Sequence, residues 1–551
     1  MTYILEHSPE NFTRRESGLI VPLSTIVGDD HRGTYGPEYV NFLEIMQSAG
    51  FKNLHDLPLN PPDEHNCPYS SVSTFAIDPQ RIDLEGLVAA GDISMGDLDT
   101  YLKLVSSRDT GPAIKLGKEK LLGKAFEQFD DYGSPERKAE FAEWRANEAE
   151  WLGSYAAFEV AKKLPQNKDK RWQDWGATKD YSPQLVNELR ASYGLEFSKI
   201  AYMQWIAEKQ HLHYLDVAHT LGIHVWGDIP FYVGDGDVWA SREIFNLDSD
   251  GNQLDQGGAA KSKTSETGQI WGNATYKFDP NNSKASEATV DWWVKRLLRA
   301  HKLNPDSVRL DHFIGYAEPF IIPIDAVDGL SGRRVEGIGR MVLDKLVEKL
   351  GSRSLPYYPE DLGTQTKATG NLRDEYGLLG STLAVRTFGK ELTLKEFAEY
   401  LGAPNNPDRY NEQTVAFSGN HDTPTLIQAI KDIRKSHPEA LRRYIKHVAQ
   451  KFPDKNLDQY PSIDKLTNKH IEELASIEIE RVIRSAAQYA FLPLGDLYHY
   501  GEKAQFNKPG IVDLKNWRWR MSDKEVRGFR RHAGYWRELN VSSTRSPRLD
   551  N

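Results

Sequence analysis

From about residue 195 onward, helix-like and strand-like segments alternate along the chain. Apolar residues recur at helical spacing between positions 200 and 218, Gly222 follows as a stop signal, and a short apolar run over 223–226 predicts a buried strand. The same order returns further on, with a helix predicted over 290–303 and a strand over 308–310. Such units in series predict an α/β fold built on a parallel sheet.

An acidic residue follows each of four predicted strands. In an α/β barrel the C-terminal ends of the strands open on one mouth, where side chains from different strands converge. Helix capping would explain any single acidic residue at such a place, whereas four in series favour a functional site. The strands predicted at 223–226, 308–310, 355–358 and 414–417 lead to Asp228, Asp311, Glu360 and Asp422.

Two stretches of the chain differ from this alternating pattern. Residues 92–195 and 427–480 are rich in charged residues at helical spacing, and we interpret both as helical insertions. Residues 1–91 are predicted to form the first part of the barrel and 196–520 its remainder. A C-terminal helix and a frayed tail are predicted for 521–551.

Composition narrows the class of protein. The 551 residues are 39% hydrophobic and carry a net charge of −10, which is typical of a globular chain and argues against a nucleic-acid partner. The single cysteine, Cys67, excludes an intramolecular disulfide and a cysteine-ligated zinc site. Apolar runs stay shorter than the roughly 18 residues of a membrane span, and the first 17 residues lack the apolar segment of a secretory signal. We therefore expect no membrane partner and a cytoplasmic location.

The residues around the predicted strand ends suit glycosidic-bond chemistry. This chemistry needs two carboxylic groups, one to protonate the leaving oxygen and one to attack the anomeric carbon or activate water. Arg309 stands two positions before Asp311, so both lie on one face of the strand and Arg309 can hold Asp311 ionised. Glu360 and Asp422 supply further carboxylates, and His421 can donate to a sugar hydroxyl.

The order of these motifs resembles that of the α-amylase clan of retaining glycosidases and transglycosidases. Other segments narrow the resemblance, over about residues 15–520, to the 4-α-glucanotransferases called amylomaltases or disproportionating enzymes. The most specific string is SETGQIWGN at 265–273, which is similar to that family's substrate-covering loop. The other matching strings are RLDHF at 309–313, PEDLG at 359–363, GNHDT at 419–423, GDIP at 227–230, DVWA at 237–240, FNLD at 245–248, PYSS at 68–71, FNKPG at 506–510 and NWRWR at 516–520.

The resemblance implies a (β/α)8 TIM-type barrel with helical insertions, and neither a metal nor an organic cofactor. It also implies transfer of α-1,4-glucan segments between maltooligosaccharides or larger glucans, with a glucan or glucose as acceptor, by a retaining double displacement. Asp311 would be the nucleophile, Glu360 the general acid/base, and Asp422 the carboxylate that grips hydroxyls of the donor sugar. The substrate-binding residues that the resemblance implies are Tyr69, Asp228, Gln269, Trp271, Arg309, His421 and Asn507, with Tyr69 and Trp271 stacking on sugar rings.

The chain departs from the family's usual pattern at three places. Ile314 stands where arginine is usual, residues 258–264 differ from the segment that commonly precedes the covering loop, and Thr423-Pro424 follows Asp422. These departures leave open the donor length, the acceptor preference and the exclusion of water. Two alternatives also stay open: a hydrolase in which water takes the second step, and a catalytically silent glucan-binding protein of the same fold.

Three expectations concern the details of the site. Residues 258–276 are expected to form a loop that covers the substrate. The carboxyls of Asp311 and Glu360 are expected to lie about 5–5.5 Å apart, the separation of a retaining enzyme. Glu360 must be protonated in the first step and ionised in the second, so we expect its pKa to be raised by Asp311 and Asp422.

Overall fold

The computed structural model describes most of the chain. The described residues are 15–28, 33–63, 65–106, 111–262, 265–278, 283–362, 366–389, 406–509, 513 and 515–546. The first 14 residues lie outside them, as do residues 547–551 of the tail expected to fray from residue 542. Residues 263 and 264 of the covering segment also lie outside them. Within the described part of the expected tail, Arg545 is buried, so the expectation was wrong there.

Eight parallel strands form the central sheet. In chain order they are β1 (Glu16–Ile20), β2 (Asn53–His55), β3 (His224–Ile229), β6 (Ser307–Leu310), β9 (Tyr357–Pro359), β10 (Gly380–Leu383), β11 (Thr414–Phe417) and β12 (Tyr489–Pro493). Across the sheet they follow the order β10, β11, β12, β1, β2, β3, β6, β9. The two outer strands meet, because the Asp361 N–H just after β9 donates to Ser381 Oγ of β10 at 2.8 Å. The predicted α/β barrel is confirmed as a near-closed barrel of eight parallel strands.

The observed strands agree with the predicted ones, with one shift that matters for the site. β11 has the predicted bounds, and β6 begins one residue earlier than predicted. β3 runs three residues further than the predicted strand, so Asp228 lies within the strand and not after it. Asp311 and Glu360 follow their strands directly, as predicted.

Helices surround the barrel and join its strands. Among the described residues, no helix combines the length and the apolar character that crossing a bilayer requires. The helices are α1 (Pro37–Ser48), α2 (Leu84–Ala89), α3 (Met95–Ser106), α4 (Gly111–Tyr132), α5 (Pro135–Asn147), α6 (Ala149–Lys163), α7 (Pro183–Ser192), α8 (Gly194–Thr220), α9 (Asp235–Ala240), α10 (Ser283–Leu303), α11 (Ile314–Ala317), α12 (Gly339–Leu350), α13 (Lys367–Glu375), α14 (Leu426–Ser436), α15 (Pro438–Lys451), α16 (Asn468–Arg484), α17 (Leu494–Leu497) and α18 (Asp523–Ser542).

The long helix α8 packs on two hydrophobic cores. Near its C-terminal end, Tyr214 and Leu215 belong to the apolar core of the barrel. Nearer its N-terminal end, Trp205 packs against Phe129 of α4 and Phe141 of α5, with ring centroids 5.4 and 5.3 Å apart. α8 therefore fixes the helices of the 92–195 region against the barrel, while the division of the chain into subdomains stays a prediction.

A second, antiparallel sheet of four strands lies beside the barrel. It contains β4 (Asp255–Ala259), β5 (Gln269–Ala274), β7 (Phe320–Pro323) and β8 (Arg333–Arg334), in the order β5, β4, β7, β8. The expected covering loop was therefore wrong in part, because β4 and β5 pair as strands, which we call the lid strands. Gly268 permits their close approach, since a Cβ there would lie 2.7 Å from the Ala259 carbonyl oxygen.

Asp306 fastens the amino-terminal end of the barrel strands that carry the site. Its carboxylate accepts from the Val225 N–H at 2.7 Å and contacts His219 Nε2 at 2.8 Å and His224 Nδ1 at 3.1 Å. Burial works to raise the pKa of Asp306, but the two histidine contacts hold it well below its ordinary value. The hydrogen bond to Asp306 raises the pKa of His224.

We predict that Asp306→Asn destabilises the fold most near pH 5–6. The stabilisation from His224 is full below its unfolded pKa of about 6.5 and is lost as pH rises through the folded value, while that from Asp306 is lost as pH falls below about 4. The free energy of unfolding should fall by about 1–2 kcal/mol at pH 5.5. The loss should be smaller at pH 8.5. Urea unfolding at both pH values measures the difference.

Asp216→Asn serves as the control, because it removes the same charge from an exposed position of α8. It should leave the free energy of unfolding nearly unchanged at both pH values. Equal losses at pH 5.5 and 8.5 for Asp306→Asn would show that protonated histidine adds nothing to this contact.

Candidate active site

Arg309 lies at the centre of a group of carboxylates at the C-terminal mouth of the barrel. Its side chain is buried at the end of β6, and its Nη1 contacts Asp228 Oδ2 at 2.8 Å and Asp311 Oδ1 at 3.0 Å. Its Nη2 contacts Glu360 Oε2 at 2.9 Å. One guanidinium therefore brings together carboxylates from three neighbouring strands.

Backbone hydrogen bonds of the sheet fix the two carboxylates that follow β6 and β9. The Asp311 N–H donates to the Ile229 carbonyl at 3.1 Å, and the Glu360 N–H donates to the Leu310 carbonyl at 2.9 Å. Both residues thus continue the strand ladder by one step. Their positions are set by the barrel and not by a free loop.

Asp311 and Glu360 differ in how firmly their charged forms are held. Burial raises the pKa of Asp311 well above its ordinary value, with Glu360 adding to the rise and Arg309 opposing it. Burial also works to raise the pKa of Glu360, but Arg309 and the His312 N–H outweigh it and lower that pKa. The expected rise for Glu360 was wrong for this structure, because two donors hold its carboxylate.

Those two donors reach the same oxygen of Glu360. Arg309 Nη2 and the His312 N–H both donate to Oε2, each at 2.9 Å. A carboxyl oxygen that already accepts two hydrogen bonds is a poor place for a proton. Oε1 is therefore the oxygen of Glu360 suited to giving and taking a proton.

A second charged group stands after β11. His421 Nε2 contacts Asp422 Oδ2 at 3.2 Å, and Asn507 Nδ2 donates to Asp422 Oδ1 at 2.7 Å. Burial works to raise the pKa of Asp422, but His421 and Asn507 lower it to about 2. Asp422 is thus an ionised hydrogen-bond acceptor.

Tyr69 connects the two charged groups. Its hydroxyl donates to Asp228 Oδ2 at 2.6 Å and lies 3.4 Å from His421 Nδ1, and its ring stacks on the His421 ring at 4.8 Å. Asp228 Oδ1 is buried and has no hydrogen-bond partner in the described structure. A buried acceptor in this position suits a sugar hydroxyl, because an unpaired buried oxygen is destabilising.

The lid strands bring Gln269 and Trp271 close to His312, the residue after Asp311. Trp271 is 37% exposed, and its indole N–H donates to Gln269 Oε1 at 3.0 Å. Its ring meets the His312 ring edge-on, with centroids 4.7 Å apart. All ten predicted site residues therefore lie in one connected region.

Three further residues belong to this region but were not among the predicted site residues. Trp517 packs 5.9 Å from both Tyr69 and His421, measured between ring centroids. His312 contacts Glu360 through its backbone, and Tyr232 packs 6.0 Å from Trp271. His312 and Trp517 lie within strings that match the family, while nothing in the sequence pattern singled out Tyr232.

One group of residues has the spacing of metal ligands, but it lies away from the mouth of the barrel. Among the described residues, His219, His224 and Asp306 have ligand atoms within 4.8 Å of one another. They stand at the amino-terminal end of the barrel strands, away from the mouth. At the mouth, Asp228, Asp311 and Glu360 are instead drawn together by a guanidinium, so the arrangement suits proton transfer and attack by a carboxylate.

Comparison with known proteins gives the same picture for nearly the whole chain. A family profile described as 4-alpha-glucanotransferase matches residues 21–525. The 4-alpha-glucanotransferase of Thermus thermophilus is 28% identical over 521 residues, covering 93% of this chain and 96% of that protein. The chloroplastic/amyloplastic 4-alpha-glucanotransferase of Solanum tuberosum is 26% identical over 517 residues, covering 92% and 82%.

Among solved structures, the amylomaltase from Streptococcus agalactiae in complex with acarbose superposes with a TM-score of 0.83 at 23% sequence identity. The match covers 97% of this chain and 100% of that one. The amylomaltase from Corynebacterium glutamicum superposes with a TM-score of 0.73 over 97% of this chain and 75% of that one, at 16% identity. The chain therefore belongs to the 4-alpha-glucanotransferase family and is a glucan-transferring enzyme.

Proposed function

We propose that Asp311 and Glu360 carry out a retaining double displacement on α-1,4-glucans. The observation that carries this proposal is the shared contact with Arg309, which holds both carboxyls on one guanidinium at 3.0 and 2.9 Å. A nucleophile and a proton donor must flank one glycosidic bond, and a common cation allows two carboxyls to lie close together. The separation of about 5–5.5 Å remains a prediction.

In the first step, an Asp311 oxygen attacks the anomeric carbon of the donor sugar. Glu360 Oε1 gives its proton to the glycosidic oxygen, the bond between that oxygen and the anomeric carbon breaks, and a β-linked glycosyl enzyme forms. In the second step, Glu360 takes the proton of the acceptor's 4-hydroxyl, whose oxygen displaces Asp311 and remakes an α-1,4 bond. Asp422 accepts hydrogen bonds from donor hydroxyls throughout.

The distribution of the proton between the two carboxyls has to change during this cycle. In the structure Asp311 holds its proton to a higher pH than Glu360 does. Attack needs the reverse, with Asp311 ionised and Glu360 protonated. A donor glucan that inserts its anomeric carbon beside Asp311 and its leaving oxygen beside Glu360 Oε1 favours that reversal, because each carboxyl then faces its reaction partner.

The remaining residues bind the glucan. We assign Tyr69, Asp228, Arg309 and His421 to the reacting sugar, since they form one hydrogen-bonded group beside the two carboxyls. Asn507 orients Asp422. Gln269 and Trp271 of the lid strands are assigned to the glucan beyond the cleavage point, and glucose is proposed as the smallest acceptor.

Maltotriose tests the proposed function directly. A glucanotransferase should convert it into glucose together with a ladder of longer maltooligosaccharides, because the glycosyl enzyme is taken by another sugar. Chromatography of the products with counting of reducing ends is the measurement. Transfer leaves the number of reducing ends constant, so a steady rise with maltose and glucose as the main products would identify a hydrolase.

Glu360→Gln tests the acid/base assignment. We expect turnover on maltotriose to fall by about 10³-fold or more, since the leaving oxygen is no longer protonated. Formation of the glycosyl enzyme from an activated donor, such as an α-glucosyl fluoride, should persist, because fluoride leaves without a proton. Initial rates with both donors provide the comparison.

Asp361→Asn is the matched control for this variant. Asp361 is the adjacent carboxylate, but it pairs with Arg373 and not with Arg309. The Asp361→Asn variant should keep its transfer rate within a few-fold of wild type. If Glu360→Gln lost activity on maltotriose and on the activated donor equally, the proton-donor role would have to be assigned to another group.

Trp271→Ala tests the part of the lid strands in transfer. Transfer must outcompete water at about 55 M, and a bound hydroxyl can have an effective molarity of roughly 10⁵ M or more. Losing the stacking surface should lower transfer to maltooligosaccharides by about tenfold, or about 1–2 kcal/mol, and raise the hydrolysed fraction. Ile270→Ala, at the neighbouring 37%-exposed position, is the control. An unchanged ratio of transfer to hydrolysis would remove the lid strands from this role.

A further inference from the structure

His312, the residue after the nucleophile, has an unusual backbone. Its φ is +47°, in the left-handed region that few residues other than glycine adopt, although asparagine, aspartate and histidine are found there more often than the rest. Its N–H donates to Glu360 Oε2 at 2.9 Å, and φ sets the position of the His312 ring relative to that N–H. A strained backbone next to a reacting group persists only where the surroundings hold it in place.

The surroundings that hold His312 are aromatic. Its ring meets Trp271 edge-on at 4.7 Å, lies 6.4 Å from Tyr232 at an angle of 30°, and lies 5.7 Å from Phe231. Gly315 leaves room for the ring, because a Cβ there would lie 2.9 Å from His312 Cδ2. The ring is thus packed between the barrel and the lid strands.

Packing alone is a poor explanation for a histidine at this place. Burial lowers its pKa to about 4, so the ring is neutral at physiological pH. Its Nε2 is out of contact with solvent and has no hydrogen-bond partner in the described structure. Neither a charge on the ring nor a hydrogen bond at Nε2 explains the residue. Its two contacts, with Glu360 and with Trp271, involve the two parts of the proposed chemistry.

We propose that His312 is a positioning residue that couples the lid strands to Glu360. Its ring is held by Trp271, and this contact keeps the backbone in the left-handed conformation in which the N–H donates to Glu360 Oε2. The acid/base is then oriented with Oε1 toward the glycosidic oxygen when the lid strands are in place. The inference rests on the proposed role of Glu360 as acid/base.

Two substitutions of His312 separate the ring from the backbone. Asparagine tolerates the left-handed conformation but removes the ring, so His312→Asn keeps the N–H on Glu360 and breaks the contact with Trp271. Valine is β-branched and disfavours that conformation, so His312→Val moves the N–H away from Glu360. A variant that only loosened packing would not distinguish the two effects.

The expected results differ between the two variants. His312→Asn should raise the hydrolysed fraction on maltotriose as Trp271→Ala does. The double variant should be no worse than Trp271→Ala alone, because that variant has already lost the contact between the two rings. The pH profile of His312→Asn should keep the upper limb of wild type. His312→Val should shift the upper limb of the kcat profile upward by about one pH unit, since a donor that favours ionised Glu360 is lost. The kcat profile reports the enzyme–substrate complex, in which Glu360 holds the proton.

Two outcomes would overturn the proposal. In the first, the effects of His312→Asn and Trp271→Ala on the transfer-to-hydrolysis ratio multiply in the double variant. Multiplication is the result expected for independent residues, such as His312→Asn combined with the control Ile270→Ala. The other is an upper limb in His312→Val at the wild-type position. If His312→Val fails to fold, the double-variant comparison with His312→Asn still decides. Failure of the proposed function is separate, because it would show as retained turnover in Glu360→Gln.

Discussion

The buried guanidinium of Arg309 is the interaction on which the rest of the site depends. A buried cation needs partners for its charge and its N–H groups, and Arg309 contacts three carboxylates: Asp228, Asp311 and Glu360. Three carboxylates exceed one guanidinium by two negative charges. Burial is the main cause of the raised pKa of Asp311, and the excess carboxylates Glu360 and Asp228 add to the rise. The group around Arg309 therefore favours retention of a proton.

The strand that carries Arg309 is fixed at both of its ends. Asp306 precedes β6 and pairs with His219 and His224, while Asp311 follows β6 and pairs with Arg309. Only four strand residues separate the two aspartates. The stabilising contacts and the candidate active site therefore lie at opposite ends of one short strand. A parallel barrel imposes this separation, because the C-terminal ends of all its strands converge at the mouth.

Local patterns predicted the barrel strands and the carboxylates, but they could not predict the second sheet or the proton affinities. A short apolar run predicted β11, and an acidic residue directly after such a run predicted Asp311. β4 and β5 contain glycines, lack a clean alternation, and pair with partners set by the tertiary fold; β4 pairs with β7 across more than 60 residues. The sequence showed carboxylates near Glu360, which suggested a raised pKa. The two donors that lower it, Arg309 and the His312 N–H, depend on side-chain reach and on one left-handed backbone.

The position of His312 also bears on the departure at Ile314. Ile314 stands two positions after His312, where α11 begins. The next residue, Gly315, has no Cβ and so leaves room for both Phe231 and the His312 ring. Packing around the ring constrains position 315, whereas Ile314 is only half-buried. Ile314 carries no charge and no hydrogen-bonding side chain, so its side chain cannot serve as a donor in this turn. Arg309 and the His312 N–H are the donors that contact the Glu360 carboxylate, and its affinity for a proton therefore depends on the backbone of His312.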